Sequence, residues 1–101
     1  MANYTYGNPP FTSTTFTAPI AGTSDVITAN NSQDFTINGN GGNDRVTTAG
    51  GNDTITTGSG NDIVNAGNGN NTVTTGGGGT DSVTTGSGND TITTGGTGND
   101  S

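Results

Sequence analysis

NGGNDRVTT (40–48) is followed by AGGNDTITT (49–57), GSGNDIVNA (58–66) and GNGNNTVTT (67–75), one nine-residue pattern written four times over. It continues as GGGGTDSVTT (76–85) with one extra residue, then as GSGNDTITT (86–94) and GGTGNDS (95–101). Each copy carries Gly-Asn-Asp or a close variant, and two residues after the Asp stands a β-branched aliphatic. A glycine-rich turn, an acidic tip and a short strand at fixed spacing describe a solenoid, in which no repeat buries its apolar side chain until a neighbour stacks on it. The pattern predicts an all-β chain with one inward column, Ile37, Val46, Ile55, Val64, Val73, Val83 and Ile92, each of the kind a pleated surface favours.

Outward from the repeats the sequence changes character. Residues 1–24 hold all three prolines and four of the five aromatics, Tyr4, Tyr6, Phe11 and Phe16. This segment is expected to be a short irregular cap on one end of the solenoid or, alternatively, an arm that docks on a neighbouring molecule. The solenoid is expected over 25–101. Asp25, Val26 and Ile27 read as a degenerate first repeat. At the next repeat the phase slips: Phe35 stands where an Asp should precede Ile37, and Asp34 falls one short, so an aromatic is expected to pack there in place of a metal ligand.

Composition alone points to disorder. Only 23% of the 101 residues are hydrophobic, against a backbone entropy of roughly 1 to 2 kcal/mol per ordered residue. Something beyond an apolar core must hold the repeats together. All eight acidic residues are Asp, and six of them, Asp44, Asp53, Asp62, Asp81, Asp90 and Asp100, share one phase of the repeat against a single Arg, Arg45. Stacked turns lie about 4.8 Å apart, so such carboxylates repel by roughly 1 to 3 kcal/mol per pair at effective dielectrics of about 80 to 20. An intervening dication reverses the sign, and short carboxylates on turns are hard oxygen ligands of the kind Ca²⁺ prefers. Metal binding and folding are then one event.

Other classes are excluded by what is missing. A net charge of −7 offers no phosphate-neutralising patch, so no nucleic-acid partner is expected. No apolar run reaches the length of a membrane span, and MANYTYGNPP does not resemble a cleavable leader. Without His, Cys, Glu or Lys the chain has no tuned base or nucleophile, and no catalytic residue is expected.

These motifs closely resemble the RTX, or hemolysin-type, calcium-binding repeats, whose consensus is Gly-Gly-x-Gly-x-Asp-x-U-x with U a large aliphatic. The resemblance implies a right-handed parallel β-roll, two repeats to a turn, with several Ca²⁺ ions held between Gly-Asn-Asp turns on either edge. By motif position one edge would stack Asp44, Asp62, Asp81 and Asp100, and the other Asp53, Asn71 and Asp90, with glycine-turn carbonyls completing the coordination. Three departures stand out. The first consensus Gly is Thr or Ala at Thr48, Thr57, Ala66, Thr75, Thr85 and Thr94, Asn71 replaces an Asp, and Asp81 and Asp100 each follow a ten-residue step.

The resemblance also implies an extracellular or cell-surface protein of the type I secreted kind, serving as a calcium-dependent structural module such as a surface layer, an adhesin or a filament built by end-to-end self-association. Two alternatives stay open. One is a β-roll fragment of an RTX enzyme lacking its catalytic domain. The other rests on Thr54 and Thr56, Thr72 and Thr74, and Thr91 and Thr93, which would form an outward Thr-x-Thr ladder able to bind ice or a cell-surface polysaccharide, unless strand propensity alone put threonine there.

Overall fold

The computed structural model describes residues 2–6, 15–17 and 21–101, and these form a parallel β-solenoid of about four turns with no helix. Ten strands alternate between two sheets: β1 (Ala2–Tyr6), β2 (Thr15–Thr17), β3 (Asp25–Ala29), β4 (Thr36–Asn38), β5 (Arg45–Thr48), β6 (Thr54–Thr56), β7 (Ile63–Asn65), β8 (Thr72–Thr74), β9 (Ser82–Thr84) and β10 (Thr91–Thr93). The odd-numbered strands make one five-stranded sheet in chain order and the even-numbered strands make the other. One repeat therefore supplies one strand, and two repeats complete a turn.

Register follows from the period. Val46 pairs with Val64 and Val64 with Val83 in the first sheet, while Ile37, Ile55, Val73 and Ile92 line up in the second. The core between the sheets is the predicted column, buried from Ile37 to Val73 and joined by Ile27, Ala29, Phe35 and Ala66. Toward the C-terminal end it opens: Val83 is half-buried, and Ile92 on the outermost strand of its sheet is 46% exposed. Phe35 packs in the core as its displacement of an Asp implied, and Asp34 is exposed.

Inward-facing positions extend beyond the strands. Asp53, Ile55 and Thr57 are buried, whereas Thr54 and Thr56 between them are exposed. The repeat thus directs an acid, an aliphatic and a threonine to the interior, as a pleat of period two requires, with Ala66 at one threonine position and Asn71 at one acid position. Consecutive strands cross to opposite sheets, which brings the threonine ending one strand beside the acid opening the next. The residues that replace the first consensus glycine are not at positive φ. Among the described residues only Asn40 is a non-glycine there, at 63°.

Of the first 24 residues, the strands β1 and β2 stack on β3 and β4 as the outermost rung of each sheet, Tyr4 opposite Ile27 and Phe16 opposite Ile37. Phe11 and the three prolines assigned to the cap or arm lie outside the described residues. The alternation in ANYTY is the local reason a strand forms there.

Candidate metal centre

Each Gly-Asn-Asp tip is built for close stacking. At Gly60, with φ 130°, a Cβ would overlap the carbonyl of Gly42 in the turn below, and at Gly69, with φ 119°, it would overlap that of Gly51. Only glycine combines that φ with that approach. The two residues that follow staple the turn in opposite directions. Asn side chains reach forward: Asn43 Oδ1 accepts the N–H of Asn61 at 2.8 Å and Asn52 Oδ1 that of Asn70 at 2.8 Å. Aspartates reach back.

That backward ladder contains the residues expected to bind metal, on the two edges expected. On one edge Asp62 Oδ1 accepts the N–H of Asp44 at 2.8 Å, Asp81 Oδ1 that of Asp62 at 2.9 Å, and Asp100 Oδ1 that of Asp81 at 3.0 Å. Asp25, which the sequence offered only as a degenerate repeat, joins the same edge by donating its N–H to Asp44 Oδ1 at 3.0 Å. On the other edge Asp53 Oδ1 accepts from Phe35 at 2.9 Å, Asn71 Oδ1 from Asp53 at 3.0 Å, and Asp90 Oδ1 from Asn71 at 2.9 Å. Asp44, Asp53, Asp62, Asn71 and Asp81 are buried, while Asp90 and Asp100, nearer the open end, are half-buried.

One carboxylate oxygen is thus used by the backbone, and the chemistry lies with the second. Asp44 Oδ2, Asp53 Oδ2 and Asp81 Oδ2 are buried with no hydrogen-bond partner. Leaving such an oxygen unmatched costs at least about 1 to 3 kcal/mol, more when it is charged. Asp62 differs, because the Thr57 hydroxyl donates to its Oδ2 at 2.5 Å. The Thr48 hydroxyl donates instead to the Ala66 carbonyl at 2.7 Å, which leaves Asp53 Oδ2 without a donor. Opposite Asp44 stands Gly39, which has no side-chain donor, gives its N–H to the Thr56 carbonyl and is packed so closely that a Cβ would overlap Asp44 Oδ2.

Asn71 shows what this second position faces. Its Oδ1 takes the Asp53 N–H, so its Nδ2 points the other way and donates to the carbonyls of Gly67 at 3.2 Å and Gly69 at 3.4 Å. An amide donor there meets two backbone oxygens of its own turn. A carboxylate oxygen in the equivalent place has oxygens for neighbours and calls for a cation between them.

The electrostatics agree. Burial pushes the Asp44 carboxyl up to about 6, against the backbone hydrogen bond from Asp25 and with the charges of Asp62 and Asp25 adding to the rise. Burial likewise raises Asp53 and Asp62. Half-buried Asp90 is lowered, first by the N–H of Asn71. Among the described residues no three carboxylates gather around one point. An ion here would therefore take most of its oxygens from backbone carbonyls and water, a donor set that fits Ca²⁺ and no soft metal.

A family model, the RTX calcium-binding nonapeptide repeat, matches residues 38–73 and 75–101 in four copies. No curated protein and no solved structure matches the chain.

Proposed function

The chain belongs to the RTX calcium-binding nonapeptide repeat family, and we propose that it is a non-catalytic structural module of the cell exterior whose β-roll is completed by calcium. The observation that carries this reading is the row of buried, unpartnered aspartate oxygens at Asp44, Asp53 and Asp81. Bound calcium supplies the positive charge that those oxygens and the turn carbonyls lack. The candidate ligands are carboxylates of the two ladders, Asp44, Asp81 and Asp100 on one edge and Asp53 and Asp90 on the other, together with backbone carbonyls. Placement outside the cell accords with the secreted proteins in which such repeats typically occur and with the millimolar calcium that extracellular modules use. No helix among the described residues is long and apolar enough to cross a membrane.

Circular dichroism at neutral pH, in excess EGTA and at millimolar Ca²⁺, tests the reading. Strong β signal only with calcium is the expected result, and a spectrum indifferent to the chelator would overturn it.

One observation favours a second use of the surface. Thr15, Thr36, Thr54, Thr72 and Thr91 lie in register across the whole even-numbered sheet, and all five are exposed. Such a flat hydroxyl and methyl array suits ordered water or a polysaccharide, and absence of thermal hysteresis would dispose of the ice form of this reading.

A further inference from the structure

The turns are not alike, and the difference lies in whether a threonine reaches its acid. In turn 57–62, part of a nine-residue step, the buried Thr57 hydroxyl and the buried Asp62 Oδ2 satisfy one another at 2.5 Å. In turn 75–81, part of a ten-residue step and one residue longer, the same two positions are Thr75 and Asp81. Both are buried, and the Thr75 hydroxyl and Asp81 Oδ2 are each left without a partner. The extra residue lies in the glycine run between them, where Gly77 and Gly78 have no neighbouring atom within 4 Å of a would-be Cβ. The insertion therefore lies toward open space, and the two hard oxygens of this turn do not pair with one another.

Neighbouring turns supply the contrast. Asn71, with Ala66 in the threonine position, fills the gap with its own amide, donating to Gly67 and Gly69. Turns 57–62 and 66–71 are consecutive, and each contains its own donor where positive charge is wanted.

The geometry points to a division of labour: turn 75–81 takes a divalent cation through the Thr75 hydroxyl and the Asp81 carboxylate, while turns 57–62 and 66–71 take none, because the Thr57 hydroxyl and the Asn71 amide stand in for it. Two buried oxygens of turn 75–81 lack a partner, and hydroxyl, carboxylate and backbone carbonyl are all ligands of a hard cation. The one-residue insertion acts as the determinant of which threonine is a ligand and which is a hydrogen-bond donor. This division rests on the calcium reading above.

Equilibrium dialysis against radiolabelled calcium, with folding followed by circular dichroism, tests it on the whole chain. Asp81→Asn should bind one ion fewer than the unaltered protein, and Asp62→Asn should bind the same number. Thr75→Val should weaken the affected site by at least about tenfold. Thr57→Val should act in the opposite sense, exposing Asp62 Oδ2 to calcium and adding one ion. This opposed pair of threonine variants keeps the test alive if Asp81→Asn does not fold. Calcium bound by the unaltered chain but lost equally from Asp62→Asn and Asp81→Asn, or two threonine variants shifting in the same direction, would overturn the division and leave the calcium reading standing. No calcium bound by the unaltered chain would overturn both.

Discussion

At the scale of single residues the repeat assigns three jobs to three adjacent side chains. Glycine lets a neighbouring carbonyl approach, asparagine staples the following turn, and aspartate staples the preceding one while holding an oxygen toward the interior. Two of these jobs can be tested separately. Gly69→Ala puts a Cβ at a φ of 119° and onto the Gly51 carbonyl, whereas Gly77→Ala adds one in open space at a φ that is not positive. Calcium titrations followed by circular dichroism should show a marked loss of folding for the first and little change for the second. Equal effects would mean that the stacking of the turns is looser than the glycine contacts require. The acids give a pH test. Because burial raises Asp44 from the ordinary value of about 4 to about 6, the folded, calcium-free chain holds a proton that the unfolded chain has released in that window. Any β signal left in chelator is therefore largest below about pH 4 and is lost as pH rises through about 6, leaving the calcium-free chain unfolded at neutral pH. Calcium competes with that proton, so in millimolar calcium the order should invert, with melting temperature rising over the same range. A chelated protein that gains β signal from pH 4 to 6 would contradict the sign of this shift.

At the scale of the strand, position along the solenoid matters more than residue type. Ile55 and Ile92 occupy one phase of the repeat and one column of one sheet, yet Ile55 is fully buried between neighbouring rungs and Ile92 is 46% exposed. Ile55→Ala should cost about 2 to 5 kcal/mol in urea unfolding at saturating calcium, and Ile92→Ala no more than about 1. Comparable losses would mean that Ile92 is covered in solution. The column itself was legible in the sequence, because a strict period fixes which residue of each repeat shares a rung with the next, and so were the two edges on which the acids stack. What the sequence did not show was that the acids face inward, Asp62 against the hydroxyl of Thr57. That depends on alternation running past the strand ends into the turns, and a nine-residue consensus does not indicate it. The strands β1 and β2 were obscured for a different reason: an unrepetitive first segment hides a rung whose pairing is nonetheless regular.

At the scale of the whole molecule, a solenoid leaves open the question of what its last rung meets. Ser101 begins a further rung on the odd-numbered sheet, donating to the Asp81 carbonyl at 2.8 Å and accepting from the Val83 N–H at 2.7 Å. The even-numbered sheet presents β10, with Thr91, Ile92 and Thr93 all exposed on its outermost strand. An outer strand of this kind is a template for another chain. The counterpart at the other end is the rung of β1 and β2, which belongs to the same two sheets and runs parallel to every strand in them. Joining one end to the other is a heterologous contact, which need not close on itself and can grow. The calcium-loaded 101-residue chain is therefore expected to elongate at high concentration, as read by light scattering and electron microscopy. Ile92→Lys, which places a charge on the apolar end of the stack, should suppress elongation while leaving the calcium-induced β signal unchanged, and removal of residues 1–20 should suppress it from the opposite end. If the unaltered chain stays a calcium-loaded monomer throughout the concentration range, the outermost rungs are closed to one another and end-to-end assembly is excluded for this chain.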